Sequence, residues 1–201
     1  MNKIEIPEDG TPVHLPNAKF RYFKHFFSVL EAQKLFTKLM DQTHWKQDPI
    51  TVFGKTYPQP RLTALYAQTL TSYSYSGITM HPQPITPLLL SIQNKINTVS
   101  IEPYTTVLLN LYRNGKDSNG WHADNERELG LNPQIASLSF GAERYFHCKH
   151  KTLKDLRFKF ILHSGSLLLM EGEMQHYWLH QLPKSAKINT PRINLTYRKL
   201  I

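Results

Sequence analysis

The sequence predicts an α+β fold in which two helices precede a series of short β-strands forming a sandwich or a closed jelly roll. Apolar residues recur at helical spacing over residues 26–42 and again over residues 86–96. From residue 105 onward the pattern changes to short apolar runs, most of them separated by Gly, Pro, Asn or charged residues. Helices followed by a run of strands are typical of the α+β class.

The N-terminal half begins with a segment, residues 1–25, that we expect to be extended and irregular because it contains four Pro and Gly residues. A helix is predicted over residues 26–42. Residues 47–83 are rich in Pro, Gly, Thr and Tyr, which favours short strands and exposed turns. A second helix is predicted to start at Thr86-Pro87, a capping residue followed by proline at the first helical position. The predicted strands of the C-terminal half cover residues 107–112, 135–140, 156–162, 167–170 and 193–197.

Length, charge and cysteine content limit the class of protein. The 201 residues suit a single domain. A net charge of +9, with 24 basic and 15 acidic residues, favours an anionic partner such as nucleic acid, although an unspecialised basic surface would give the same count. Cys148 is the one cysteine, which excludes an internal disulfide and favours a reducing compartment. With no long apolar run, we expect a soluble, intracellular protein without a membrane partner.

The string Trp121-His122-Ala123-Asp124 carries the first sign of chemistry. In an extended segment, residues two apart point to the same face, so His122 and Asp124 can converge on one metal ion. Two histidines and one carboxylate, with the other positions open, form the facial triad of non-haem Fe(II) oxygenases. The spacing leaves the third ligand open among His147, His150, His163, His176 and His180.

A structural zinc site at His147-Cys148-Lys149-His150 is a rival interpretation of the histidine-rich stretch. Such sites need four ligands and commonly use several cysteines. A single cysteine in the chain therefore disfavours zinc.

The last predicted strand alternates apolar and polar residues, and its polar face would consist of Arg192, Asn194, Thr196 and Arg198. Buried arginines require anionic partners, and a dicarboxylate would supply two. The alternative is a basic strand facing solvent. Asn110 and Tyr112 share a face in the same way, ten to twelve residues before His122.

Together these strings resemble the AlkB family of Fe(II)/2-oxoglutarate nucleic-acid dealkylases, over roughly residues 47–201. Val52-Phe53-Gly54-Lys55 and Tyr73-Ser-Tyr75-Ser-Gly77 are most similar to the duplex-DNA-repair homologues of animals. The remaining matching strings are Asn110-x-Tyr112-x-x-Gly115, Trp121-His122-x-Asp124-x-Glu126, Ser137-x-Ser139-Phe140-Gly141-Ala142, His163-Ser-Gly165-Ser-Leu-Leu, Trp178-x-His180-x-x-Pro183 and Pro191-Arg192-x-Asn194-Leu195-Thr196-x-Arg198. Two departures are Ser164, inserted where close relatives have His-Gly, and Glu126, where some members have Asp.

The resemblance implies a fold, a metal centre and a reaction. The expected fold is one double-stranded β-helix (jelly-roll) domain over residues 1–201, with an N-terminal extension and helix at 1–46, a nucleotide-recognition lid at 47–83 and the catalytic core at 104–201. His180 is the implied third ligand of Fe(II), beside His122 and Asp124. Fe(II), O2 and 2-oxoglutarate would demethylate N1-methyladenine or N3-methylcytosine, releasing formaldehyde, succinate and CO2. The residues implied to hold 2-oxoglutarate are Asn110, Tyr112, Arg192, Asn194, Thr196 and Arg198.

The resemblance also implies how the substrate is held. A base in a duplex must be flipped out before it can react. Tyr75 is implied to stack on the flipped base, with His122 on its other side, and Tyr73 lies on the same face as Tyr75. Phe53 is implied to be a wedge that fills the gap, and Glu126 to orient the base. The alternative is that Phe53, Tyr73 and Tyr75 are ordinary core residues without a role in substrate binding. Candidate phosphate contacts are Lys55, Arg61, Lys149, Lys151, Lys154, Arg157 and Lys159.

Partners and location follow from the same resemblance. The expected partner is alkylated DNA, double- or single-stranded, with RNA as a further candidate, and the protein is expected to be a monomer. It would be cytoplasmic in a bacterium and nuclear in a eukaryote. The alternatives are a 2-oxoglutarate oxygenase acting on RNA, protein or a small molecule, and a non-catalytic jelly-roll binding module.

Overall fold

The computed structural model of the protein describes residues 4–52, 54–69, 73–75 and 78–201. The helices are α1 (Val29–Gln42), α2 (Pro87–Ile96) and α3 (Met174–Tyr177), with a 3-10 helix at Arg127–Leu129. The strands are β1 (Val13–Leu15), β2 (Ala18–Phe23), β3 (Pro49–Val52), β4 (Lys55–Pro58), β5 (Leu62–Ala67), β6 (Tyr73–Tyr75), β7 (Ile78–Met80), β8 (Gln83–Pro84), β9 (Thr106–Tyr112), β10 (Asn119–His122), β11 (Ile135–Gly141), β12 (Arg144–His150), β13 (Arg157–Leu162), β14 (Ser166–Glu171), β15 (Trp178–Leu182) and β16 (Arg192–Arg198).

Both predicted helices are confirmed, and side-chain caps fix where they begin. Helix α1 starts at Val29, three residues later than predicted, because Ser28 and Glu31 form a capping box. The Ser28 hydroxyl accepts from the Glu31 backbone N–H at 3.3 Å, and a Glu31 carboxylate oxygen accepts from the Ser28 N–H at 2.8 Å. At α2 the Thr86 hydroxyl accepts from the Leu89 N–H at 3.3 Å.

Two sheets face each other and form the predicted jelly roll. The larger has the order β1-β2-β14-β11-β16-β9-β5-β8 and the smaller β10-β15-β12-β13. The five strands predicted in the C-terminal half are confirmed as β9, β11, β13, β14 and β16. Two short hairpins, β3-β4 and β6-β7, lie outside these sheets.

Alternation along β16 assigns the two faces of the large sheet. Ile193, Leu195 and Tyr197 pack in a core cluster with residues of α1 and α2. The residues between them point the other way, toward the small sheet. The space between the sheets holds a second cluster, which includes Phe146 and Trp178. The polar face of β16 therefore lies inside the molecule.

The expectation that residues 1–25 are irregular is wrong for 13–23. Strands β1 and β2 form a hairpin there, and β2 pairs antiparallel with β14 in the large sheet. Ala18, Phe20 and Tyr22 alternate inward, a two-residue period that predicts a strand. The prolines flanking the hairpin mask that signal.

Among the described residues, no helix is long and apolar enough to cross a membrane.

Candidate metal centre and adjoining cavity

Three side chains from the predicted set meet at one end of the small sheet. His122 ends β10, Asp124 follows two residues later, and His180 lies on β15 directly opposite His122. One nitrogen or oxygen atom of each lies within 4.8 Å of the others. The His180 Nε2–Asp124 Oδ2 distance is 3.9 Å. The pairing of β10 with β15 thus brings His180 next to His122 and Asp124, whose spacing had suggested a shared metal ion.

Neighbouring polar groups orient the triad. His122 Nδ1–H donates to the Gly120 carbonyl at 2.8 Å, so Nε2 carries the lone pair, which accepts from the Asn119 amide at 3.1 Å. The Asp124 backbone N–H donates to Gln175 Oε1 at 2.9 Å. Gln175 comes from α3 and is 1% exposed. Sequence reasoning missed Gln175, because its partner is 51 residues away and no local pattern marks it.

Electrostatics favour an ionised carboxylate and neutral imidazoles. Burial raises the pKa of Asp124, but Arg198 and the two histidines outweigh it and hold that pKa below its ordinary value. Arg198 Nη2 donates to Asp124 Oδ1 at 2.8 Å, with both side chains almost fully buried. Burial, then the charge of His122, lowers the pKa of His180 to about 3. Burial also lowers the pKa of His122. These are the protonation states that metal ligands need.

Three of the other candidate third ligands form hydrogen bonds away from the triad, and the fourth, His147, lies beside the Tyr145 ring. His163 Nδ1 lies 2.9 Å from the Tyr22 hydroxyl, and His150 Nδ1 accepts from the Leu153 N–H at 3.0 Å. His176 Nε2 accepts from the Asn132 N–H at 3.3 Å. Within the described residues, the one group of at least three His, Cys, Asp or Glu side chains that could hold a metal is the triad, and it does not include Cys148. Two imidazoles and one carboxylate fit the facial triad for Fe(II).

A small, partly open cavity adjoins the triad. The paired strands β9 and β16 form one wall of it, with Asn110 opposite Asn194 and Tyr112 opposite Arg192. All six residues predicted to hold 2-oxoglutarate line it: Asn110, Tyr112, Arg192, Asn194, Thr196 and Arg198.

Arg192 supplies a buried positive charge at the Tyr112 end of this cavity. It is 2% exposed, and its guanidinium lies 5.3 Å from the Tyr112 ring centroid. Nη2 donates to the Ser139 hydroxyl at 2.9 Å, while Nε is buried without a hydrogen-bond partner among the described residues. Burial lowers the pKa of Arg192 to about 10, which leaves it protonated at neutral pH. A buried cation bound only to neutral groups fits a carboxylate ligand.

Arg61 lies inside the molecule rather than on its surface, with 6% exposure. Its Nε donates to Asn110 Oδ1 at 2.8 Å. Because the Arg61 guanidinium donates to the Asn110 amide oxygen, it fixes the orientation of that amide. The hydrogen-bonding group of Asn110 that remains for a ligand is its NH2 group. This position favours an action of Arg61 through Asn110 over a contact with phosphate, and its role in substrate binding stays a prediction.

Asn194 and Thr196 line the cavity but are also bonded within the sheet. Asn194 Nδ2 donates to the Ser137 hydroxyl at 2.9 Å and to the Leu138 carbonyl at 2.8 Å. The Thr196 hydroxyl donates to Asn194 Oδ1 at 3.1 Å. These bonds explain why polar residues alternate on this face of β16 without facing solvent.

The predicted substrate residues are less fully described. Phe53 lies outside the described residues. Tyr73 and Tyr75 belong to β6, whose backbone pairs with β7, and their side chains are outside the described part. Glu126 is half-buried and immediately precedes the 3-10 helix at Arg127–Leu129. The roles of these four residues stay predictions.

Comparisons with known proteins agree with this geometry. Residues 19–198 match the model of the 2OG-Fe(II) oxygenase superfamily. The chain is 43% identical over 182 residues to the alpha-ketoglutarate-dependent dioxygenase alkB homolog 3 of Bos taurus, covering 86% of this chain and 63% of the relative, less than two thirds of its length. It is 35% identical over 185 residues to the human DNA oxidative demethylase ALKBH2, covering 87% and 71%. The structure of OsALKBH1 superposes with a TM-score of 0.62 at 15% identity, covering 93% of this chain and 100% of that one.

Proposed function

The chain belongs to the 2OG-Fe(II) oxygenase superfamily and, within it, to the AlkB family, and we propose that it is an oxidative demethylase of alkylated bases in DNA. One observation carries the proposal. The triad of His122, Asp124 and His180 adjoins a cavity that contains two buried arginines. A metal site beside a cationic cavity is what an enzyme needs if it uses Fe(II) together with a dicarboxylate.

The residues would divide the work between metal and co-substrate. His122 Nε2, Asp124 Oδ2 and His180 Nε2 would hold Fe(II), which, with 2-oxoglutarate and O2, supplies the oxidising chemistry. Arg198, bonded to Asp124, would contact the carboxylate end next to the metal. Arg192, over Tyr112, would contact the far carboxylate.

The protein's own contribution is placement. Arg198 holds one oxygen of Asp124 and thereby directs the other toward His180. Gln175 fixes the backbone of Asp124, and Gly120 fixes the ring of His122. No general base is needed in this scheme, so Glu126 would orient the substrate base.

DNA is the proposed substrate because of two observations. The relatives named DNA oxidative demethylase are 33–36% identical over most of this chain. The net charge of +9 suits a polyanion. We propose N1-methyladenine and N3-methylcytosine as lesions. The preference for single- or double-stranded DNA is left to experiment, because the chain is also 39–43% identical to relatives named alkB homolog 3.

The decisive experiment incubates the protein with a methylated oligonucleotide, Fe(II) and 2-oxoglutarate, and measures formaldehyde, succinate and the repaired base. Single-stranded DNA, duplex DNA and RNA of one sequence form three arms. Asp124→Ala should abolish all products, whereas His176→Ala, which changes a histidine outside the triad, should retain them. Succinate formation that requires iron but never yields repaired base on any arm would refute the nucleic-acid substrate and leave an oxygenase of other specificity.

A further inference from the structure

The outer face of the small sheet is open in the described structure. Strands β10, β15, β12 and β13 turn one face to the large sheet, where Phe146, Phe158 and Trp178 pack in the core. Residues on the other face alternate with them and stay partly or largely exposed. Trp121 is 40% exposed and Tyr145 is 50% exposed. Two large aromatic rings are therefore partly open to solvent on the same sheet face.

Aromatic and basic side chains share this face, and close cation–ring contacts join β12 to β10 and β13 to β12. Lys149 on β12 reaches over β15, and its Nζ lies 4.4 Å from the ring centroid of Trp121 on β10. On the other side Lys159 Nζ lies 5.2 Å from the Tyr145 ring centroid, and the Tyr145 ring lies 6.4 Å from His147. The row, here called the outer-face row, consists of Trp121, Lys149, His147, Tyr145 and Lys159.

Within the four strands of the small sheet, the charge has one sign. The sequences of the four strands are NGWH, RYFHCKH, RFKFIL and WLHQL, which contain no Asp or Glu. Lys149, Lys159 and Arg157 are their outward-facing cations. A cation on one side of an exposed ring leaves the remaining ring surface for stacking while it offers charge for a phosphate. Bases stacked on aromatic rings beside a positive track are the general mode of single-strand binding.

We infer that the outer-face row binds a single-stranded segment of nucleic acid, with bases stacked on Trp121 and Tyr145 and phosphates at Lys149 and Lys159. The inference extends the proposed function, and rests on it for the choice of nucleic acid over another polyanion. Trp121 directly precedes the ligand His122 in β10. A strand held on this face therefore uses no residue of the triad or its cavity, which lie on the opposite face of the small sheet.

The test measures binding by fluorescence anisotropy, using the metal-free protein and a fluorescein-labelled, unmodified oligo-dT of about 15 nucleotides. Each phosphate contact contributes about 0.7 to the slope of log K against log salt for single strands. Changing Lys149 and Lys159 to Gln should therefore lower the magnitude of that slope by about 1.4. The matched control changes two exposed lysines of α1, Lys34 and Lys38, to Gln. Helix α1 packs on the far side of the large sheet, so the slope should not change.

Aromatic variants separate stacking from charge. Trp121→Leu and Tyr145→Leu should each weaken binding about tenfold, and Trp121→Phe and Tyr145→Phe should recover most of it. Both positions are exposed, and thermal midpoints equal to that of the starting protein would exclude misfolding. Unchanged affinity in both Leu variants, an unchanged salt slope in the lysine variant, or equal competition by oligo-glutamate of the same length would each overturn the inference.

These outcomes are independent of turnover. Binding without iron or methylated base, combined with no demethylation by the intact enzyme, would refute the proposed function alone. Demethylation combined with unaltered binding in the variants would refute the outer-face row alone.

Discussion

Arg198 is the residue whose removal should most clearly reveal the electrostatics of the metal centre. Its guanidinium donates to Asp124 at 2.8 Å, and the two side chains are 2% and 3% exposed. Replacing one partner of a buried pair leaves the other charge uncompensated, at a cost of about 3–5 kcal/mol. Because both side chains are buried, solvent does not screen the attraction between their charges. Arg198→Met, which keeps an apolar stem, should lower the free energy of unfolding by about that amount.

The assay is urea unfolding of the protein with a chelator present, so that neither metal nor co-substrate contributes. A parallel thermal scan should show a loss of about 6–20 °C for a chain of this size. Arg192→Met is the matched control, because Arg192 is equally buried but bonds to the neutral Ser139 hydroxyl. Its removal leaves no buried charge behind, so it should cost about 1 kcal/mol or less.

The stability lost in Arg198→Met should depend on pH through the ionisation of Asp124. In the starting protein the pKa of Asp124 lies below its ordinary value, so its ionised form is stabilised above the unfolded pKa, and this stability is lost as the pH falls through the folded pKa. Without Arg198, the largest cause that lowers the pKa of Asp124 is gone, so this pKa should rise. The difference between variant and starting protein should therefore be largest at neutral pH and shrink toward acid pH. Equal losses for Arg198→Met and Arg192→Met at neutral pH would refute this reasoning.

Three further perturbations test the site and the substrate contacts. His180→Ala should abolish turnover and Fe(II) binding, measured by calorimetry, whereas His176→Ala should keep both; the reverse pattern would mean that the third ligand is wrong. Arg61→Ala should raise the KM for 2-oxoglutarate by about tenfold or more with a smaller effect on kcat, because a charged hydrogen bond to Asn110, worth about 1.5–3 kcal/mol, is lost. An unchanged KM would remove Arg61 from the co-substrate site. Phe53→Ala should impair repair of duplex DNA more than that of single strands, because flipping from a duplex costs a few kcal/mol; equal losses would make Phe53 a packing residue.

Local sequence patterns determined much of the fold. Thr86 and the following proline fix the start of α2, and the two-residue period of β16 predicts its polar and apolar faces. These features depend on neighbours a few residues away, so they can be predicted from a short window. Strand β2 shows the limit, because prolines flank its alternating residues and its place beside β14 depends on a segment far along the chain.

The sequence by itself supplied the ligand types, and tertiary structure selected among them. His122 and Asp124 follow from their spacing, but spacing could not choose between His176 and His180, and there the resemblance was needed. The pairing of β10 with β15 puts His180, not His176, opposite His122.

Contacts between residues distant in sequence were decided only by the tertiary structure. Arg61 reaches Asn110 across 49 residues, and Arg198 reaches Asp124 across 74. No local pattern encodes such pairs, because they exist only when sheet pairing closes the jelly roll. The sequence therefore specified which side chains carry the chemistry, and the closed fold decided which of them meet, because burial makes each charge depend on its particular partner.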